Sequence, residues 1–191
     1  MKVAGLRKIW LLSVILYTAG GVLSAALLGL LLGALGRLVV PADGWRWAMV
    51  ASAGIGALAV VRETIAASVP IPQLRRQTPE LWRFGVPLPV SASLWGIELG
   101  LVFTTWTTFA GPWFLAAIAV AGGNPAVGMA LFVAHWLGRS AWLWAAPYLI
   151  RSSTAMPEVM DEILRAKRLF AWIHVGGLVG GLAGIAVWVT G

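Results

Sequence analysis

The stretch GIELGLVFTTWTTFAGPW, residues 96–113, contains the residues that are hardest to place in a membrane helix. It lies in a long apolar region, yet it contains Glu98, four threonines and the Gly111-Pro112 pair. A carboxylate inside lipid is costly, and a proline in a helix interior removes a backbone hydrogen bond. We therefore expect a membrane-spanning helix that Gly111-Pro112 breaks and bends, with partners nearby for its polar groups.

The composition around this stretch is that of a membrane protein. The chain has 191 residues, of which 60% are hydrophobic and 11% are charged, whereas soluble proteins carry about 25% charged residues. Apolar blocks of about 20 residues alternate with short polar joints, which is typical of helices that cross a bilayer. The composition predicts one all-α domain over residues 1–191. The absence of cysteine excludes disulfides and cysteine-based redox chemistry.

Five transmembrane helices are predicted in a polytopic bundle. Their approximate ranges are 11–36, 48–68, 91–119, 126–149 and 169–190, and the third is the helix broken at Gly-Pro. The loops 69–90 and 150–168 are polar; we expect a short interfacial helix in the first and an amphipathic helix at 157–168 in the second.

The basic residues predict the orientation of these spans. With the N-terminus inside, the inner segments hold ten Lys and Arg residues and the outer segments hold two. This positive-inside bias predicts a cytoplasmic N-terminus, an external C-terminus and a location in the cell inner (plasma) membrane. It also accounts for the net charge of +7 without nucleic acid as a partner.

Ionisable side chains inside the predicted spans are the candidate functional residues. They are Arg62, Glu63, Glu98, His135, Arg139 and His174. A rise of about 1.5 Å per residue places all of them except His135 in the cytoplasmic half of the bilayer. Since a lone charge costs about 2.5–3.5 kcal/mol at the centre of a span, we expect Glu98 to pair with Arg139. The charges either fix helix register or line a polar cavity together with Thr105.

Two further patterns bear on cofactors and packing. His135 and His174 could both ligate a b-type haem, but their predicted depths differ by roughly 14 Å, so we expect no cofactor and no metal. Gly29/Gly33 and the set Gly176/Gly180/Gly184 are small-xxx-small patterns, which let helices approach closely. We expect both patterns to pack within the bundle.

The segment LGLVFTTWTTFAGPWFLAAIAVAGG, residues 99–123, resembles the broken helix of the CcdA/DsbD transmembrane family. That helix typically reads G-W-T-P-C-x-G-P, and Trp106, Thr107, Gly111 and Pro112 match it in register. The looser resemblance covers about residues 11–190 and implies a transporter scaffold. The family's redox cysteine falls at Phe109, and the helix that carries its second cysteine is missing, so the family's thiol electron transfer is not expected.

These features favour two functions outside enzyme catalysis. Motifs of nucleotide-binding, metallopeptidase and serine-hydrolase enzymes are absent from the sequence, so we do not expect an enzyme. In one interpretation the protein binds or moves a small solute or ion through a cavity lined by Glu98, Thr105, His135 and Arg139. In the other it is an accessory or assembly subunit that packs in the bilayer against other membrane subunits or a second copy. A b-haem-binding subunit is a third, weaker alternative.

Overall fold

The computed structural model describes residues 2–66, 69–72, 82, 85–104, 109–149 and 167–190. These residues form six α-helices, which confirms the all-α prediction. The helices are α1 (Lys2–Val39), α2 (Trp45–Thr64), α3 (Leu88–Gly100), α4 (Gly111–Gly122), α5 (Pro125–Leu149) and α6 (Lys167–Thr190).

Four predicted spans each coincide with one helix. The first, second, fourth and fifth correspond to α1, α2, α5 and α6, whereas the third is divided between α3 and α4. The interfacial helix expected in loop 69–90 and the amphipathic helix expected at 157–168 lie largely outside the described residues.

Among the residues that the structure describes, two helical segments are long and apolar enough to cross a membrane, namely Arg7–Val39 and Ala171–Thr190. Only 28% and 17% of their most apolar windows are buried inside the protein, whereas a core helix of a soluble protein would be mostly buried. Large side chains such as Leu23 and Val187 are 70% and 73% exposed. Such broad apolar surfaces are typical of a protein that faces lipid. The number of spans and their orientation stay predictions.

The helices pack as two halves that share α4. In the odd-numbered half, α3 and α5 each pack against the long helix α1. The even-numbered half consists of α2, α4 and α6. Helix α4 also contacts α1 and α5, so it joins the halves. Phe132 and Trp136 are almost wholly buried in the first core, and Phe114 is buried in the second.

Glycines bring the backbones of the odd-numbered half together. A Cβ atom at Gly29 would overlap the carbonyl of Gly128, and a Cβ atom at Gly96 would overlap the carbonyl of Tyr17. The expectation for Gly29/Gly33 is therefore confirmed. The expectation for α6 is wrong, because no described atom lies within 4 Å of a Cβ built at Gly176, Gly180 or Gly184. These three glycines share an open face of α6.

The turn between α4 and α5 follows from its sequence. Gly123 adopts φ +56°, a left-handed conformation that glycine reaches without strain. The Asn124 side-chain oxygen then accepts the backbone N–H groups of Ala126 and Val127 at 3.0 and 3.3 Å, which caps the start of α5. This short turn fixes α4 beside α5, with the N-terminus of α4 at the far end.

Candidate functional site at the helix break

The interruption between α3 and α4 positions the candidate site. Helix α3 ends at Gly100 and α4 begins at Gly111. Val102, just after the end of α3, has φ 55° and is only 1% exposed. A β-branched residue in the left-handed region is strained, so the surrounding packing must hold this turn in place.

Gly111-Pro112 starts a helix and does not bend one. Ala110 is the N-cap residue of α4, and Pro112 lies in its first turn. Proline is well accepted there, because the first backbone N–H groups of a helix have no partner within the helix. The predicted break is confirmed, but the predicted mechanism, a proline kink in a continuous helix, is wrong.

Glu63, near the C-terminal end of α2, joins that helix to the break. Its carboxylate oxygen Oε1 accepts the backbone N–H of Ala110 at 2.8 Å. The same oxygen lies 2.8 Å from Nη1 of Arg62. The Glu63 side chain is 5% exposed and that of Arg62 is 19% exposed. One buried carboxylate thus satisfies an unpaired donor at the N-terminus of α4 and neutralises the adjacent guanidinium.

His174 of α6 completes this group of residues. Its ring lies 4.6 Å from the ring of Phe109, centroid to centroid, and it also packs against Gly111, where a Cβ atom would overlap the imidazole. The Nε2 atom of His174 is buried, and no described residue forms a hydrogen bond to it. The break therefore presents a carboxylate on one side and an imidazole on the other.

The Arg62–Glu63 pair lies between two different cavities. One, of about 320 Å³, is lined by Glu63 and Thr64 of α2 and by Ala171, Trp172 and Val175 of α6. The other, of about 490 Å³, is lined by Arg62 and by mostly apolar residues of α2, the following segment and α4. The negative member of the pair thus borders the first cavity, and the positive member borders the second.

Glu98 is held in the odd-numbered half. It is 7% exposed, on the helix whose Gly96 and Gly100 pack against α1. The hydroxyl of Thr104 donates a 2.8 Å hydrogen bond to the backbone carbonyl of Glu98, which accommodates the end of α3. Glu98 is therefore buried within the protein.

The predicted ion pair between Glu98 and Arg139 does not form. Among the described residues, the structure has an ion pair between Arg62 and Glu63 and none between Glu98 and Arg139. Arg139 is exposed on α5, whereas Glu98 is buried on α3, and both helices pack against α1. The prediction was based on similar depth in the bilayer. Pairing also requires that each helix is rotated so that the two side chains face each other, and depth gives no information on this rotation.

Two other predicted site residues remain, His135 and Thr105. His135 is half-buried on α5, one residue before the core residue Trp136. Thr105, together with Trp106 and Thr107 of the family resemblance, lies outside the described residues. Within the part of the chain that the structure describes, no three His, Asp or Glu side chains are grouped so that they could hold a metal ion.

The structure thus brings together Arg62, Glu63, Gly111 and His174 from the predicted set. It adds three contributions that the sequence did not identify: the backbone N–H of Ala110, the Phe109 ring and the cavity-lining Trp172. A backbone donor carries no sequence signal of its own. The one usable signal was Gly111-Pro112, because a helix that starts inside an apolar region leaves N–H groups that need an acceptor.

The fold and the site together define an all-α protein with apolar surfaces typical of membrane proteins. Its interrupted helix resumes, as α4, beside a buried ion pair. Comparison with known proteins adds one relative. Over 136 residues the chain is 34% identical to the methylamine utilization protein MauF of Paracoccus versutus, a distant similarity that covers 68% of this chain.

The similarity covers 48% of MauF, so the chain spans about half the length of this curated relative. No protein-family model matches the chain. No solved structure matches it either.

Proposed function

We propose that the protein is a five-span integral membrane protein on a CcdA/DsbD-like scaffold that binds or moves a small solute or ion. The resemblance of residues 99–123 and the distant similarity to MauF support the scaffold. The basic residues support a cytoplasmic N-terminus. Alkaline phosphatase fused after residue 190 should then be active outside the cell membrane, and a fusion in loop 69–90 should be inactive; the reverse pattern contradicts this orientation.

The buried Glu63 carboxylate beside the cavity of about 320 Å³ is the observation that carries the proposed activity. Interrupted membrane helices often flank binding sites, because the ends of half-helices offer unpaired backbone groups. Here the N-terminus of α4 meets Glu63, and Trp172 lines the same cavity. A carboxylate and an indole are groups that attract a small cation.

Methylammonium is the first solute to test, because the relative is a methylamine utilization protein. Purified protein in proteoliposomes should take up radiolabelled methylammonium, and uptake by Glu63→Gln should fall to the rate of empty vesicles. Glu98→Gln is the matched control, since it neutralises the buried carboxylate of the other half and should leave uptake close to wild type. Equal uptake by wild-type and Glu63→Gln vesicles would reject the proposal.

An accessory or assembly subunit is the second candidate, and the open face of α6 favours it. Gly176, Gly180 and Gly184 lie along one side of this helix with no described atom near them, and small residues on such faces let another helix approach closely. Gly180→Leu should then abolish stoichiometric co-purification with partner subunits while leaving the protein folded. Unchanged co-purification would remove the support that α6 gives to this role.

A further inference from the structure

The larger cavity is a groove on the surface of α2. After α2 the chain turns back along the helix, because Val69 donates its N–H to the carbonyl of Ala66 at 2.8 Å and its carbonyl accepts Nε of Arg62 at 3.3 Å. The segment that returns, residues 69–72, forms one wall, and Ala110 and Trp113 close the groove from the side of α4. The result is a groove of about 490 Å³.

The lining of this groove fits an acyl chain. Most of it is aliphatic or proline surface, including Ile55, Leu58 and Val69, which are 42%, 70% and 51% exposed. From Ile55 to Arg62 the groove follows α2 for about 10 Å at the helical rise. On a protein that faces lipid, apolar side chains around such an open groove contact hydrocarbon and not water.

The charge at the groove selects the head group. Arg62 lines the groove and Glu63 does not, and Arg62 is the more exposed member of the pair, at 19% against 5%. The two members of the neutral pair therefore line different cavities, Arg62 the groove and Glu63 the smaller cavity. A guanidinium suits phosphate because its planar donors match the geometry of the phosphate oxygens.

We propose that this groove binds one anionic phospholipid, with an acyl chain along Ile55 and Leu58 and the phosphate at Arg62. The site is separate from the proposed solute cavity and does not require that Glu63 acts in transport. A phospholipid bound there would stabilise the position of α2 next to the Arg62–Glu63 ion pair, which contacts the break between α3 and α4.

Native mass spectrometry of the full chain tests the head-group selectivity. Delipidated protein is titrated with palmitoyl-oleoyl phosphatidylglycerol or with palmitoyl-oleoyl phosphatidylcholine. The wild type should retain the anionic lipid about fivefold more tightly, the effect expected of one arginine near an anionic head group. Arg62→Gln should bind both lipids equally, whereas the matched variant Glu63→Gln, which keeps the cation, should preserve the selectivity.

A second pair of variants tests the groove and does not depend on the ion pair. Ala66→Trp fills the groove that Ala66 lines, and Ala51→Trp places the same bulk on an exposed position of α2 that does not line it. Ala66→Trp should lose the tightly retained lipid, and Ala51→Trp should not. Equal affinity of the wild type for the two lipids, the same retention in both tryptophan variants, or equal loss in Arg62→Gln and Glu63→Gln would each overturn the proposal.

Discussion

The two halves of the molecule are held together in different ways. In the odd-numbered half backbones meet at glycines, such as Gly29 against Gly128. In the even-numbered half the glycines Gly56 and Gly181 meet the Phe114 ring, so a side chain separates the helices. Both described cavities next to the ion pair lie in this second half. Helices that a side chain separates leave more space between them than helices whose backbones touch, and both of these cavities lie in the half whose helices are separated in this way.

The largest effect expected from this comparison is on Gly29. In Gly29→Leu the new side chain would collide with the Gly128 backbone, which cannot rotate away, so we expect a loss of about 3 kcal/mol or more in the free energy of unfolding. The free energy of unfolding is measured in detergent by titrating the protein with SDS and following the loss of helix by circular dichroism.

Gly180→Leu is the control for that experiment, since it adds the same side chain to the open face of α6. It should change the free energy of unfolding by no more than about 0.5 kcal/mol. Similar destabilisation by the two variants would show that Gly29 is no more tightly packed than Gly180, which contradicts the difference between the two helix faces.

The next effect concerns the contact between α2 and the break. Glu63→Ala removes the acceptor of the Ala110 N–H and the ion-pair partner of Arg62. Breaking a fully buried ion pair costs about 3–5 kcal/mol, but the partial exposure of Arg62 lowers this, so we expect about 2–3 kcal/mol. The same SDS titration measures the change.

Glu63→Gln is the matched variant, because its amide oxygen can still accept the Ala110 N–H. Its free energy of unfolding should be lower than that of the wild type by about 1 kcal/mol. If Glu63→Ala were no less stable than the wild type, the carboxylate would not be what holds the N-terminus of α4 in place.

Helix positions were predictable from the sequence because they depend on local patterns. Runs of apolar residues long enough to span a bilayer located α1, α2, α5 and α6, and Gly111-Pro112 located the interruption. The positions of Glu98 and Glu63 within apolar helices also followed from the sequence. Each of these inferences needs only one segment at a time.

Contacts between helices were not predictable, because they depend on rotation about each helix axis. Depth along the bilayer normal suggested that Glu98 meets Arg139, yet it gave no information on direction around the helices. The glycine patterns of α1 and α6 look alike in sequence, but one packs against α5 and the other lies on an open face. The partner of Glu63 was missed for a further reason: it includes a backbone N–H that any residue at position 110 except proline would supply.

The smallest effect is predicted for Arg139, and it separates the observed arrangement from the one that the sequence suggested. Arg139 is exposed on α5 and forms no ion pair with Glu98, so Arg139→Gln should change the free energy of unfolding by less than about 0.5 kcal/mol. Had the two side chains formed a buried pair, the same variant would leave a buried carboxylate without its counter-charge and cost about 3–5 kcal/mol. Because these outcomes differ by several kcal/mol, one SDS titration of Arg139→Gln beside the wild type distinguishes them, and a loss near the larger value would place Arg139 inside the odd-numbered half after all.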